Sequence, residues 1–218
     1  MDAFGNDWSI WKTLVWGSLW TPVLVLVHEL AHAALALWLT RGPVLVSFGR
    51  RRRWAVRAGR LVLAVSALAP AFCAYDARQL RGSRRSQIWI AAAGPLGSLL
   101  SAVGLALLAG GAAGSARGIL AVGALYAAVI TIGSGLPMRY GRGLGLGGDS
   151  DGMVIWRILT GGTSRRAREA RDVAIARPGF LIVLALILVL AFATRPELGL
   201  AVMVVFGWAL FTQTRASD

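Results

Sequence analysis

Lysine, histidine, cysteine and acidic residues are all scarce in this chain of 218 residues. Lys12 is the only lysine, two histidines and one cysteine are present, and Asp and Glu together number 10. The single Cys73 excludes an intrachain disulfide and a thiolate metal cluster, so we interpret it as a packed core thiol. Charged residues make up 15% of the chain against 56% hydrophobic residues, with a mean hydropathy of +0.64. This balance excludes a disordered chain and an ordinary cytosolic protein.

The net charge of +13 does not indicate a protein that binds nucleic acid. The arginines are clustered between long apolar runs, which is the pattern of membrane topology. Apolar runs of about 20 residues are long enough to cross a bilayer as helices. Five spans are predicted: 13–39, 87–109, 118–136, 179–194 and 198–212. The last two are short and form either two tight spans or one helical hairpin.

Arginine-rich connections alternate with connections that carry almost no basic residues. Only Lys12 precedes the first span and only Arg117 lies between the second and third, whereas 40–86 and 138–178 are rich in arginine. Because basic loops stay on the cytoplasmic side, we expect the N-terminus outside and the C-terminus in the cytoplasm. The preference for Arg over Lys, with much Ala and Gly, is typical of a GC-rich genome, so the expected location is a bacterial cell membrane.

Short apolar runs bounded by glycine and proline occupy the first arginine-rich segment. Residues 44–48, 54–56 and 61–66 have the length and content of strands and predict a small β-hairpin or sheet. The run 61–74 is the alternative candidate for a further helical span, but Arg60 and Pro70 leave it short. The expected fold is an all-α multi-pass membrane protein with about five transmembrane helices and this β region between the first and second.

Two parts of unequal size are expected along the chain. Residues 1–160 contain the candidate site and the β region, and residues 161–218 form a C-terminal basic loop and helical hairpin. The glycine-rich stretch 141–148 follows no predicted strand and has no lysine at its end, so it is interpreted as a flexible linker and not as a phosphate-binding loop.

The first predicted span contains the pattern HExxH, written out as His28-Glu29-Leu30-Ala31-His32. Four residues is close to one helical turn, so both imidazoles project from one face and can converge on a single ion. Glu29 lies beside that face, where it can take a proton from water activated by the ion. Packing histidines are the simpler alternative. A metal site is favoured because these are the only histidines, and because an ionisable group at membrane depth costs on the order of 3 kcal/mol.

A catalytic zinc site needs three protein ligands and one open position for water. Most of the few acidic residues lie near the termini or in arginine-rich loops. Asp149 and Asp151 differ, since both precede a new apolar stretch at 153–159. Helix N-capping is their simpler role, and one of the pair can cap while the other binds metal.

Two further segments follow the HExxH pattern in order: 91–98 with the sequence AAAGPLGS, and 134–137 with the sequence SGLP, followed by Asp151-Gly152. In this order and membrane setting, the three segments resemble the site-2 protease family of intramembrane zinc metalloproteases. The resemblance implies that His28, His32 and Asp151 bind Zn²⁺, with Asp151 preferred over Asp149 because Gly152 follows it. It also implies that Glu29 is the catalytic base.

Ser98 and Ser134 stand where members of that family commonly carry asparagine. A hydroxyl can donate one hydrogen bond to a developing oxyanion, so both serines are candidate oxyanion or supporting residues. The resemblance implies membrane-anchored protein substrates of single-pass type, and no nucleic acid is expected as a partner. An extended substrate is expected to pair with a strand edge in the 44–66 region by β-augmentation.

Two functions without catalysis are the alternatives. A pseudoprotease that retains membrane partners is favoured by the two serines and disfavoured by the intact Glu29, because a pure binder needs no base. A metal-ion carrier is disfavoured because the other spans are nearly free of ionisable groups.

Overall fold

The computed structural model describes residues 9–48, 54–65, 71–80, 83–137, 139–140 and 148–160. Four α-helices lie in these ranges: α1 (Ile10–Leu39), α2 (Ser83–Gly111), α3 (Gly114–Gly135) and α4 (Asp151–Thr160). The strands are β1 (Val44–Phe48), β2 (Trp54–Ala58), β3 (Leu61–Val65), β4 (Ala71–Tyr75), β5 (Arg139–Tyr140) and β6 (Gly148–Asp149). A single 3₁₀ turn, Ala77–Gln79, follows β4.

Three of the helices are long and apolar enough to cross a membrane: Trp11–Leu39, Arg84–Gly111 and Gly114–Gly135. They confirm the first three predicted spans and indicate a membrane protein. Each helix begins a few residues before its predicted start, because interfacial residues such as Lys12, Arg84 and Arg117 continue the helix beyond its apolar part. The predicted fourth and fifth spans, the C-terminal part 161–218 and most of the glycine-rich linker lie outside the described residues.

Helices α1 and α3 pack closely because glycines face aromatic rings across their interface. A Cβ atom built at Gly123 would lie 2.8 Å from the Trp20 ring, and one at Gly17 would overlap the Tyr126 ring. The Trp20 indole N–H donates to the carbonyl of Ile119 at 3.0 Å, which satisfies its polar atom inside the bundle. Small residues therefore allow these helices to approach, as they commonly do in membranes.

A four-stranded sheet lies between α1 and α2 in the sequence, with the strand order β2-β3-β1-β4. Strand β1 is parallel to β3 and antiparallel to β4, with Val46 opposite Leu63 on one side and Cys73 on the other. The predicted β region is thereby confirmed. The alternative of a helical span over 61–74 is wrong, because β3 and β4 take the two ends of that segment.

One face of the sheet packs on the C-terminal half of α1. Val44 and Val46 are at most 1% exposed and form a core with Ala33 and Ala36 of α1 and with Ile90 of α2. Burying apolar area of this kind is the main stabilising contribution to a packed core. The contact places the sheet beside the turn of α1 that carries His32, the residue just before Ala33.

Helix α4 is held against α2 and α3 at both of its ends. Ser150 is its N-cap, since the Ser150 hydroxyl oxygen accepts from the Met153 N–H at 3.1 Å and donates to the Leu136 carbonyl at 2.5 Å. At the other end, the Arg84 guanidinium donates to the last carbonyls of the helix, including that of Leu159 at 2.8 Å. These anchors fix the position of Asp151, the first residue of α4.

Candidate metal centre

His28 and His32 lie one turn apart on the face of α1 that packs against α2. Each is 7% exposed, and the centroids of their rings are 4.8 Å apart. Their Nε2 atoms point toward each other at 3.2 Å, while their Nδ1 atoms point toward α2. The helical spacing in the sequence therefore produces a pair of buried imidazoles with their Nε2 atoms converging.

Asp151 joins this pair from α4. Its Oδ2 lies 3.0 Å from His28 Nε2 and its Oδ1 lies 3.3 Å from His32 Nε2. Burial opposes ionisation of Asp151, but the hydrogen bonds with His28 and His32 prevail and hold the pKa of its carboxyl below its ordinary value. Within the described ranges, these three residues form a group with the spacing of metal ligands.

The tautomer of His32 is set by its surroundings. His32 Nδ1 lies 2.6 Å from the carbonyl oxygen of Ile90, an acceptor with no proton to give, so Nδ1 carries the proton and donates. A neutral His32 then turns the Nε2 lone pair toward the Asp151 carboxylate. Electron-rich atoms at this distance repel unless a cation or a proton lies between them. Without a metal, a proton on His32 or on Asp151 must lie between these atoms, whereas a divalent cation can bind all three side chains at once.

The two Nε2 atoms have the spacing of ligands on a tetrahedral ion, and the Asp151 carboxylate faces both of them. Zinc bonds to imidazole nitrogen and carboxylate oxygen are about 2.0 Å long, which gives tetrahedral edges of about 3.3 Å. The two Nε2 atoms are 3.2 Å apart, and the Asp151 carboxylate lies 3.0 Å from His28 Nε2 through Oδ2 and 3.3 Å from His32 Nε2 through Oδ1. Gly94 on α2 keeps the neighbouring space open, because a Cβ built there would lie 2.6 Å from His28 Nε2 and still closer to His32 Nε2. The donor set and this space both fit a small divalent cation.

Asp149, the other candidate for third ligand, makes a different contact. Its carboxylate pairs with the guanidinium of Arg157, eight residues later on α4. It lies in the short ladder of β5 and β6, where it is opposite Arg139. The structure therefore brings Asp151, and not Asp149, to the two histidines. Neither aspartate is the N-cap of α4, because Ser150 between them has that role.

Glu29 lies at the edge of the same cluster. Its partly buried carboxylate interacts electrostatically with His28, His32 and Asp151 and lies beside the backbone N–H of Cys73. A carboxylate next to these three side chains, but not among them, is suitably placed to act as a general base. No strand neighbour for Glu29 was expected from the sequence.

The two serines occupy unequal positions. Ser98 is 1% exposed, and its Oγ lies 2.9 Å from His28 Nδ1, on the side of the ring away from Asp151. Ser134 is buried in α3, where its hydroxyl donates to the carbonyl of Thr131 at 3.5 Å. The structure therefore joins Ser98 to the cluster through His28, and it directs the Ser134 hydroxyl along its own helix.

The strand that passes the cluster is β4, which the sequence did not identify. The expected strand edge was in 44–66, but β1 and β3 are paired on both sides and β2 is at the far edge of the sheet. The missed signal was Pro70 followed by Phe72 and Tyr75, two aromatic residues of the kind that favours strands. These residues indicate a strand that begins after Pro70, but the apolar run 61–74 is also compatible with a helix.

Two side chains of β4 have their pKa raised next to the cluster. Burial, with smaller contributions from Glu29 and Asp151, raises the pKa of the Cys73 thiol to about 12. Burial is also the largest cause that raises the pKa of Tyr75, followed by Cys73 and Asp151. The thiol therefore stays protonated at neutral pH, which makes it a poor nucleophile and a poor ligand.

No family model, curated protein or solved structure matches this chain.

Proposed function

We propose that this chain is an intramembrane metalloprotease that binds Zn²⁺ through His28, His32 and Asp151 and hydrolyses peptide bonds of membrane-anchored proteins. One observation carries the proposal: the two Nε2 atoms lie 3.2 Å apart on a helix that is long enough to span a bilayer, and the Asp151 carboxylate of α4 lies within 3.3 Å of both. A buried donor set of this kind suits a divalent cation, and His₂-carboxylate is a ligand set of catalytic zinc.

Glu29 is the residue to which we assign proton transfer. When bound, the ion polarises the scissile carbonyl and acidifies water. Glu29 lies beside the ligands, so it accepts the proton of the attacking water and returns it to the leaving amine. A binding protein without catalysis would need the three ligands but no such carboxylate, so the placement of Glu29 favours an enzyme over a pseudoprotease.

Strand β4 is the element to which we assign presentation of the substrate. A transmembrane helix hides its amides in internal hydrogen bonds and must become extended before attack, so it needs replacement partners. β4 is the terminal strand of the described sheet on the side of α1, and the Cys73 N–H faces Glu29. An extended segment added to β4 would therefore pass the cluster, as in β-augmentation.

The substrates we propose are single-pass membrane proteins, and the location is a cell membrane with the site in its cytoplasmic half. His28 and His32 lie in the part of α1 nearer to the sheet, and the connection that contains the sheet is rich in arginine. By the positive-inside rule this end of the bundle faces the cytoplasm.

The test combines zinc analysis with cleavage of a tagged single-pass reporter whose helix is weakened by a central glycine-proline pair. We expect Glu29→Gln to keep one zinc per chain and to lose cleavage by about 10²-fold or more, since it removes the base but no ligand. Asp151→Asn should lose both zinc and cleavage. Asp149→Asn is the matched control and should retain both, because Asp149 pairs with Arg157.

Equal cleavage by the wild type and Glu29→Gln would exclude this mechanism. Zinc loss in Asp149→Asn but not in Asp151→Asn would reverse the assignment of the third ligand. A wild-type chain that binds no zinc would remove the basis of the whole proposal.

A further inference from the structure

Both histidines of the cluster are supported on their far side by the same helix. His28 Nδ1 lies 2.9 Å from the Ser98 hydroxyl and His32 Nδ1 lies 2.6 Å from the Ile90 carbonyl, and both partners belong to α2. Ligating histidines usually donate their second ring N–H to such a partner, which fixes the tautomer and the ring orientation. The geometry points to α2 as the helix that orients both ligands of α1, with Ser98 as the positioning residue of His28. This inference rests on the proposed metal site.

The sequence of α2 explains how one helix reaches both rings. Gly94 lies between the two supporting residues, and only a residue without Cβ lets the imidazoles come this close to the helix. Pro95 lies inside α2, has no N–H to donate, and crowds the carbonyl of Ala91, the residue after Ile90. A carbonyl has two lone pairs, and that of Ile90 can therefore accept from His32 in addition to its own helix.

Ser98 differs from Ile90 because its supporting group is a side chain. A serine hydroxyl has two acceptor lone pairs, so it accepts from His28 Nδ1–H when Nε2 binds the ion. The residue is buried and the distance is that of a full hydrogen bond. Loss of the hydroxyl leaves a buried N–H without an acceptor and frees the ring to rotate or to take the other tautomer. Ser98 therefore acts through His28, on the side of the ring opposite to Asp151, and not on the reacting carbonyl.

The experiment measures zinc affinity of the purified full chain in detergent, by competition with a chelating dye. Ser98→Ala should bind zinc about 10- to 100-fold more weakly than the wild type, the usual effect of removing a partner of a ligating histidine. Ser101→Ala is the matched control on the same helix, because the Ser101 hydroxyl donates to the Gly97 carbonyl at 2.9 Å. Its affinity should be unchanged. Alanine favours helices, so both variants should fold, and thermal unfolding checks this.

A second measurement distinguishes a change in the orientation of the His28 ring from a general loosening of the site. The chain has only two histidines, so ¹⁵N-histidine NMR of the zinc-loaded protein shows two imidazoles. Ser98→Ala should shift the Nδ1 signal of the His28 ring. The Nδ1 signal of His32 should stay unchanged, because the Ile90 carbonyl still accepts from it. Ser98→Ala and Ser101→Ala with the same zinc affinity and the same spectrum would overturn the role of Ser98. Failure of the proposed function is distinct, because the wild type itself would then bind no zinc.

Discussion

Gly94 on α2 lies directly against the two imidazoles of α1. A methyl group at this position would occupy the space beside His28 Nε2 and His32 Nε2, so the rings would have to move apart. There is therefore a direct steric reason why the first residue of the Gly-Pro pair is glycine. Its importance comes from the volume that it leaves empty and not from conformational freedom, since it lies inside a helix.

The substitution Gly94→Ala tests this at the scale of one residue. We expect zinc affinity to fall by about 10²-fold or more, because displaced rings no longer share an ion. Gly104→Ala is the control on the same helix: no atom lies within 4 Å of a Cβ there, so it should bind zinc normally. It should also be slightly more stable, by up to about 1 kcal/mol, since alanine is the better helix former. Zinc content after dialysis measures both variants, and normal zinc in Gly94→Ala would contradict the geometry.

Asp151 reaches the histidines only because α4 starts at the right place. The Gly135 and Leu136 backbone at the end of α3 lies against Gly152, where a Cβ would be 2.6 Å from carbonyl carbons and closer to a carbonyl oxygen. Backbone atoms cannot move aside as a flexible side chain can. The Asp-Gly pair therefore combines the proposed ligand Asp151 with the close contact of Gly152 that fixes the position of α4.

We expect Gly152→Ala to push α4 away from α3 and to weaken zinc binding about tenfold, with a loss of stability of about 1–3 kcal/mol from overpacking. Asp151 is displaced but still present, so some affinity remains. Gly133→Ala is the control on α3, where a Cβ meets no atom within 4 Å. Zinc titration and thermal unfolding measure both effects. Unchanged zinc affinity together with reduced stability would show that the position of Asp151 does not depend on this contact.

The sequence predicted the elements whose periodicity is strong. The three spans follow from runs of apolar residues, and the convergence of His28 and His32 follows from their spacing on a helix. The pairing of Asp149 with Arg157 and the cap at Ser150 were not predicted, because several polar residues near a helix start compete for the same roles. Which residue caps α4 depends on a tertiary contact, the one between Ser150 and the end of α3. Strand β4 was missed for a similar reason, since its partner β1 lies far away in the sequence.

At the scale of the whole molecule, the sheet and α4 lie at the same end of the helix bundle. Arg84 at the start of α2 contacts the end of α4, and the sheet packs beside the C-terminal half of α1. The turn between α2 and α3, near Ser115, is at the other end of both helices. This arrangement agrees with the alternation of basic segments, in which only Arg117 lies near that turn. The candidate site therefore belongs to the basic end of the molecule.

Labelling of single cysteines tests the orientation, starting from a Cys73→Ser background that has no other cysteine. We expect Ser115→Cys to react with a membrane-impermeant maleimide on intact cells, because the turn with few basic residues is outside. Arg57→Cys on the exposed strand β2 should react only after the cells are permeabilised. Both variants must react fully in permeabilised cells, which controls for accessibility. The reverse pattern would place the arginine-rich end, and with it the proposed zinc site, on the outer side of the membrane.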